Sequence, residues 1–300
     1  MSFTSKSPVD VAQVALRVAA DALPEYAHRF SPKKFTQAQL FACLALKAFF
    51  KTDYRGVAIL LEDLPDLARL LGLKSVPHGT TLHKATKRLL SLPAAEALLS
   101  ATVERFLGGR RRLDRVAFDS TGLSCGHASS YYVRRRAKGG RAWQHTRYKR
   151  FAKLEAAFDC ETHLIVGAIP RRGPAVDVDR FVPQLEQVLR RVRPRAVLAD
   201  AGYDSEVNHR HARERRGVRS VIPAKIGRPS ARPPAGRWRR RMKARLDKDY
   251  CRYGQRWQAE TGFSMIKRRL GSEVAARSYW SQCRELMLLA VVHNLLILVG

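Results

Sequence analysis

Residues 116–123 read VAFDSTGL, and residues 196–200 read AVLAD. Both are short apolar runs of the kind that forms buried strands, and each carries one aspartate, Asp119 or Asp200. Because aspartate is disfavoured inside strands, both acids need an explanation. Each could form a turn, since small or turn-forming residues follow it. Each could instead ligate a divalent metal ion through its carboxylate oxygens, which is the interpretation we favour.

The segments around these two runs alternate between strand and helix patterns. This order predicts an α/β fold with a mixed sheet flanked by helices, and an open sheet of this type places its chemistry at strand ends, where both acids lie. We expect two strands within 153–173 with a turn near 160–162, helices over 177–192 and 205–217, a strand over 219–224, a basic loop or small insertion over 225–249, a helix over 251–271 and a buried C-terminal helix.

The first third of the chain has helical patterns throughout, and the run RRR at 110–112 marks its end. We therefore predict an all-helical region over 1–110 and a second domain over 111–300. Thr36 and Gln39 form a capping-box pattern before an apolar run, which indicates a helix start. Another helix is expected to begin at Thr80 or Thr81.

The helix after Thr81 would bring Lys84, Lys87 and Arg88 within one turn of each other. This pattern resembles the recognition helix of a helix-turn-helix. An ordinary packed helix with a solvated basic face would have the same pattern, so both interpretations remain open.

The composition favours a polyanionic partner. The chain has 56 Lys and Arg against 26 Asp and Glu, a formal net charge of +30. Residues 131–153 contain no acid, and Glu214 is the single acid of residues 209–245. Basic tracts with interspersed aromatic side chains can bind the backbone of a nucleic acid and stack on its bases. A tract that binds ribosomal RNA, or one that only keeps the protein soluble, would have the same composition.

Several classes of protein are disfavoured. Five cysteines, widely spaced and without a CxxC motif, argue against a secreted disulfide scaffold and a thiolate zinc site. The last apolar run, residues 286–299, contains His293 and is shorter than the ~20 residues of a spanning helix. We expect a cytoplasmic, nucleoid-associated protein with no membrane partner.

A third acid lies on the predicted helix over 251–271. At 100° per residue, Tyr253, Arg256, Glu260 and Lys267 fall on one stripe of that helix, beside an apolar stripe that can pack on the core. The stripe places Glu260 between cations. This stripe is either a functional site or the location of an ordinary Arg256–Glu260 ion pair, which would stabilise the helix by only tenths of a kcal/mol.

With these residues in view, the sequence resembles bacterial DDE transposases of the insertion-sequence 4/5 group. The resemblance rests on Asp119 in AFDSTGL, on Asp200 in LADAGYDS, and on the spacing Tyr253-x2-Arg256-x3-Glu260-x6-Lys267, which reproduces the Y-R-E-K signature of that group. It covers roughly residues 113–299, whereas the helical region resembles the DNA-binding part of these proteins only loosely.

The resemblance implies a ribonuclease-H-like fold and a DNA transposase. It implies that Asp119, Asp200 and Glu260 bind two Mg²⁺ or Mn²⁺ ions, and that Tyr253, Arg256 and Lys267 contact the DNA backbone. The expected partners are double-stranded DNA, both terminal inverted repeats and target DNA, and a second copy of the chain in the synaptic complex. The expected reaction is cleavage at the element ends followed by strand transfer.

Two other functions fit the same residues. One is a catalytically inactive, basic DNA-binding protein derived from a transposase, and the other is a nuclease of the same fold. Minor candidates receive structural interpretations: Asp204 as a helix N-cap, Glu155 in a turn or on a solvated face, and Trp257 in packing.

Overall fold

The computed structural model describes residues 6–125, 151–225 and 234–300, with the side chains of 247–252 outside that description. Most of the basic tract at 131–153 therefore lies outside the described residues.

From residue 6 onward, where the description of the N-terminal region begins, six helices form this region. The Thr36 side chain accepts a hydrogen bond from Gln39 N at 3.1 Å and Gln39 Oε1 accepts one from Thr36 N at 2.9 Å, which confirms the predicted capping box. The expected cap at Thr80 or Thr81 is wrong, because His78 accepts the hydrogen bond of Thr80 N and caps the helix. The helices are α1 (Pro8–Ala22), α2 (Gln37–Phe49), α3 (Tyr54–Asp63), α4 (Pro65–Leu70), α5 (Gly79–Leu89) and α6 (Leu92–Leu107).

A mixed sheet follows, in the spatial order β3-β2-β1-β4-β5. The first three strands are antiparallel neighbours, and β4 and β5 run parallel to β1. A two-residue strand, β6, pairs with the end of β1. The strands are β1 (Arg112–Cys125), β2 (Phe151–Asp159), β3 (Ile165–Gly173), β4 (Arg193–Ala199), β5 (Arg219–Val221) and β6 (Glu273–Val274).

Within the described residues, five helices accompany the sheet: α7 (Phe181–Arg191), α8 (Glu206–Arg210), α9 (Arg237–Tyr253), α10 (Trp257–Leu270) and α11 (Tyr279–Leu298). Two predictions are corrected. The helix expected over 205–217 is α8 followed by a π-helical turn, His211–Arg215. The basic loop expected over 225–249 is helical from Arg237 onward, because buried Met242 gives this Arg-rich segment an inner face.

One continuous core joins the N-terminal helices to a face of the sheet through α11. Within α11, buried Asn294 donates to Ile165 O and accepts from Ile165 N, both at 2.8 Å, so this polar residue ties the helix to β3. In the described part of the chain, α11 is the one helix long and apolar enough to cross a membrane. Because 78% of its most apolar window is buried, it serves here as a core helix. A second cluster around α7 covers the other face.

Candidate active site

The register of β1 and β4 brings the first two acids together. These parallel strands pair Phe118 with Ala199, so the next residues, Asp119 on β1 and Asp200 directly after β4, lie side by side. Asp119 Oδ1 accepts the Ser120 amide at 2.8 Å, and Asp200 Oδ1 accepts the Gly202 amide at 2.9 Å. The hydrogen bond of Asp200 also caps a short 3₁₀ turn, so this residue forms the predicted turn as well as lying beside Asp119.

An arginine connects the third acid to this pair. Arg256 Nη1 lies 3.5 Å from Asp119 Oδ2, and Arg256 Nη2 lies 2.5 Å from Glu260 Oε1. The predicted Arg256–Glu260 ion pair is thus present, and it is also attached to the β1 acid. Glu260 is 58% exposed, whereas Asp119 is 18% exposed.

The signature residues do not occupy one helix, which corrects the prediction of a single helix over 251–271. Tyr253 ends α9, Arg256 lies in the 3₁₀ turn Gly254–Arg256, and Glu260 and Lys267 lie on α10. The turn contacts β1 and β4, so the break in the helix is what directs Arg256 toward the strand acids.

Electrostatics link the three carboxylates. The pKa of Asp119 is raised to about 6, mainly by burial; the Ser120 amide and Arg256 oppose the rise, and the charges of Asp200 and Glu260 add to it. Burial lowers the pKa of Arg256, but its hydrogen bond with Glu260 and its attraction to Asp119 raise it on balance. The site therefore concentrates negative charge that a cation must balance.

Tyr253 also lies beside the acids. Burial raises the pKa of the Tyr253 phenol; Arg256 lowers it, and Asp200 and Asp119 raise it. The structure thus places Tyr253, Arg256 and Glu260 around the two strand acids. Lys267 lies seven residues beyond Glu260 on α10, which is about 10 Å along the helix.

A buried ion network next to Asp119 was missed by the sequence interpretation. The Ser120 hydroxyl donates to Asp177 at 3.1 Å, and the buried Lys153 ammonium contacts Asp177 and donates to Ala175 O at 2.7 Å. These contacts hold the segment before α7 against β1 and β2. The available signal was Lys153, a charged residue at the start of the strands expected within 153–173.

Three minor predictions are corrected. Glu155 is fully buried and paired with Arg171 at 2.9 Å, so it is not on a solvated face. Ser205, not Asp204, caps α8, while Asp204 pairs with Arg239. Trp257 is 55% exposed rather than packed, because it begins α10 on the solvent side.

The three basic residues predicted to bind DNA lie on α5. Lys84, Lys87 and Arg88 are all exposed, and Arg88 Nε donates to Gln37 Oε1 at 3.1 Å. The helix packs against α2 and α3. This arrangement agrees with both a recognition helix and a solvated basic face, so a DNA-binding role for these residues remains a prediction.

The donor set fits a hard divalent cation. Asp119, Asp200 and Glu260 offer only oxygen ligands, which Mg²⁺ and Mn²⁺ prefer. Among the residues whose positions the structure gives, no three His, Cys, Asp or Glu side chains are grouped tightly enough to hold an ion. Arg256, which pairs with both Asp119 and Glu260, supplies the balancing charge in this arrangement.

Comparison with known proteins agrees with this geometry. The family model described as "Transposase DDE domain" matches residues 110–295. The chain belongs to this family. The match includes Asp119, Asp200 and Glu260 together with all the described strands, and membership of this family implies DNA binding. A search of curated proteins gave no match.

Proposed function

We propose that this DDE transposase cleaves DNA at the ends of an insertion sequence of the 4/5 group and transfers the freed strands into target DNA. The observation that carries the proposal is the alignment of Asp119 with Asp200 across β1 and β4, with Arg256 joining Glu260 to the same point. The strand order β3-β2-β1-β4-β5 supports assignment to the ribonuclease-H-like folds.

Asp119, Asp200 and Glu260 are the residues that would hold the ions. Two Mg²⁺ or Mn²⁺ ions, when bound, supply positive charge to the attacking and leaving oxygens of an in-line phosphoryl displacement. The strand acids are held by backbone hydrogen bonds, and the exposed Glu260 side chain completes the set by rotating away from Arg256. The chain itself then contributes position and electrostatic stabilisation.

Arg256, Tyr253 and Lys267 would contact the DNA backbone. A guanidinium pairs with phosphate as readily as with carboxylate, so Arg256 can exchange Glu260 for a phosphate when DNA binds. That exchange releases Glu260 for the metal site. Lys267, two turns along α10, would contact a neighbouring phosphate.

The remaining partners follow from the reaction. The helical region, with Lys84, Lys87 and Arg88, would bind the terminal inverted repeats. Joining of two element ends requires two copies of the chain, so we propose a homodimer in the synaptic complex. The protein would act in the cytoplasm on nucleoid DNA, without a membrane partner.

Substitution of Glu260 tests the proposal. Glu260→Gln removes a charged ligand while keeping the side-chain shape, so Mn²⁺-dependent cleavage of element-end DNA should fall by about 100-fold or more. DNA binding should persist, because the cations are untouched. Cleavage is followed on labelled duplexes in gels, and binding by fluorescence anisotropy.

The matched control is Glu161→Gln, an exposed glutamate in the β2–β3 turn, which should cleave like the unaltered protein. Full cleavage by Glu260→Gln would contradict the three-acid site. Duplex binding with no cleavage by the unaltered chain would favour an inactive DNA-binding protein, and nicked DNA without joined strands would favour a nuclease.

A further inference from the structure

The sequence interpretation missed helix α9, and this helix has two different faces. Its inner face buries Met242 and packs Leu246 on the core. At 100° per residue, its outer arc over 237–246 carries five cations and Ala244, and the sequence has no acid there. All five cations are exposed: Arg237, Arg240, Arg241, Lys243 and Arg245.

The start of α9 is held by acids on its inner side. Glu206 accepts hydrogen bonds from the amides of Trp238 and Arg239, both at 3.1 Å, and so caps the first turn. Arg239 Nη2 pairs with Asp204 Oδ2 at 2.7 Å, and Asp204 is fully buried. The Trp238 indole donates to Glu214 at 2.7 Å. These acids neutralise the inner side, and Glu214 also attracts Arg237. Among the side chains that the structure describes, no acid forms an ion pair with Arg240, Arg241, Lys243 or Arg245.

These anchors connect α9 to the candidate site at both ends. Asp204 and Glu206 follow Asp200 in the segment after β4, so the helix begins on the segment that carries the second acid. It ends at Tyr253, beside the acids. Arg245 precedes Tyr253 by eight residues, about 12 Å along the axis. A strand entering the site would therefore pass the outer face of α9.

We propose that the outer face of α9 (Arg237, Arg240, Arg241, Lys243 and Arg245) binds the phosphate backbone of the duplex whose strand enters the site of Asp119, Asp200 and Glu260. The inference rests on the proposed function for the identity of that strand. The charge densities correspond, since the five cations span about 12 Å, and a duplex carries about seven negative charges over that length.

Charge removal tests this surface in the full chain. The variant Arg240→Gln/Arg241→Gln/Lys243→Gln should bind a short labelled duplex of arbitrary sequence roughly 10-fold more weakly at physiological salt. The slope of log affinity against log salt should decrease by up to about 2.7, because each phosphate contact contributes about 0.9. Because all three side chains are exposed, the melting temperature should change little.

The matched control, Arg190→Gln/Arg193→Gln/Arg195→Gln, removes the same charge from exposed arginines at the opposite end of β4 from Asp200. It should retain affinity and slope. Equal losses in both variants would show that overall charge, not α9, binds DNA, and would overturn the proposal. Ala244→Glu, which adds one negative charge to the centre of the face without removing a contact, should also weaken binding, and unchanged binding would contradict the proposal.

The measurement is made without divalent metal, so its outcome does not depend on catalysis. Loss of cleavage in Glu260→Gln with unchanged binding in the α9 variant would reject this surface and keep the proposed function. Weakened binding in the α9 variant with full cleavage in Glu260→Gln would keep this surface and reject the three-acid site of the proposed function. If the α9 variant lost adhesion to anionic phospholipid vesicles but kept its duplex affinity, α9 would be a lipid surface and the proposal would fail.

Discussion

The strand acids and the helix acid are positioned by different kinds of structure. Asp119 lies on β1 and Asp200 directly follows the neighbouring strand β4, and the sheet register and backbone hydrogen bonds fix both. Glu260 lies on a separate helix, is mostly exposed, and reaches the same point through Arg256. The sheet thus supplies a fixed pair of ligands. The placement of the third depends on how α10 packs against the sheet.

Substitution of Gly262 is the strongest test of whether the packing of α10 on the sheet positions Glu260. A Cβ at Gly262 would lie 2.5 Å from Phe158 Cε1, and Phe158 is a buried β2 residue that packs edge-on against Phe263 with ring centroids 4.9 Å apart. Gly262→Ala should therefore lower the free energy of unfolding by about 1–3 kcal/mol and reduce cleavage, because α10 moves away from the sheet. Thermal melts and the cleavage assay measure the two effects.

Gly254→Ala is the matched control. Gly254 lies in the 3₁₀ turn before α10, and among the described residues nothing lies within 4 Å of a Cβ added there. This variant should be as stable as the unaltered chain or slightly more so. If Gly262→Ala melted and cleaved like Gly254→Ala, the close packing of α10 on β2 would not position Glu260.

A smaller effect concerns the fixed pair. The pKa of Asp119 is about 6 in the folded chain against an ordinary value of 3.8, so the folded state holds this proton more tightly. The free energy of unfolding should therefore fall as the pH rises from about 4 to about 6. Asp119→Asn removes this penalty and should stabilise the metal-free protein above pH 6.

The measurement is the melting temperature of both proteins in chelator at several pH values. The advantage of Asp119→Asn should be small near pH 4 and should grow until about pH 6. A stability difference between the two proteins that did not change with pH, or a lower stability of Asp119→Asn at neutral pH, would show that the charge of Asp119 does not lower the free energy of unfolding.

The same division separates what the sequence predicted from what it missed. The strand that carries Asp119 and the strand that ends before Asp200 were expected from local apolar patterns, because a buried strand is a short run of apolar residues that is visible in the sequence itself. The capping box at Thr36 was equally local. Their pairing in register needed the three-dimensional structure.

The helix side was harder to predict. The loop prediction for 225–249 followed from the Pro and Gly residues of 225–236, whereas the residues of α9 itself are mostly good helix formers. The start of this helix is fixed by tertiary anchors, Glu206 and Asp204, that no local pattern reveals. The break at Gly254–Arg256 likewise follows from packing against β1 and β4, and the helical period of the signature residues continues across it. The Lys153–Asp177 pair joins positions too far apart in the chain for any local pattern to reveal.

The central claim is that Asp119, Asp200 and Glu260 form one cation site, and anomalous diffraction tests it most directly. Crystals of the full chain with a short duplex and Mn²⁺ should show two anomalous peaks, each about 2.2 Å from carboxylate oxygens of this set and together using all three acids, with Arg256 turned to phosphate. Manganese bound elsewhere, with Arg256 still paired to Asp119 and Glu260, would contradict the account.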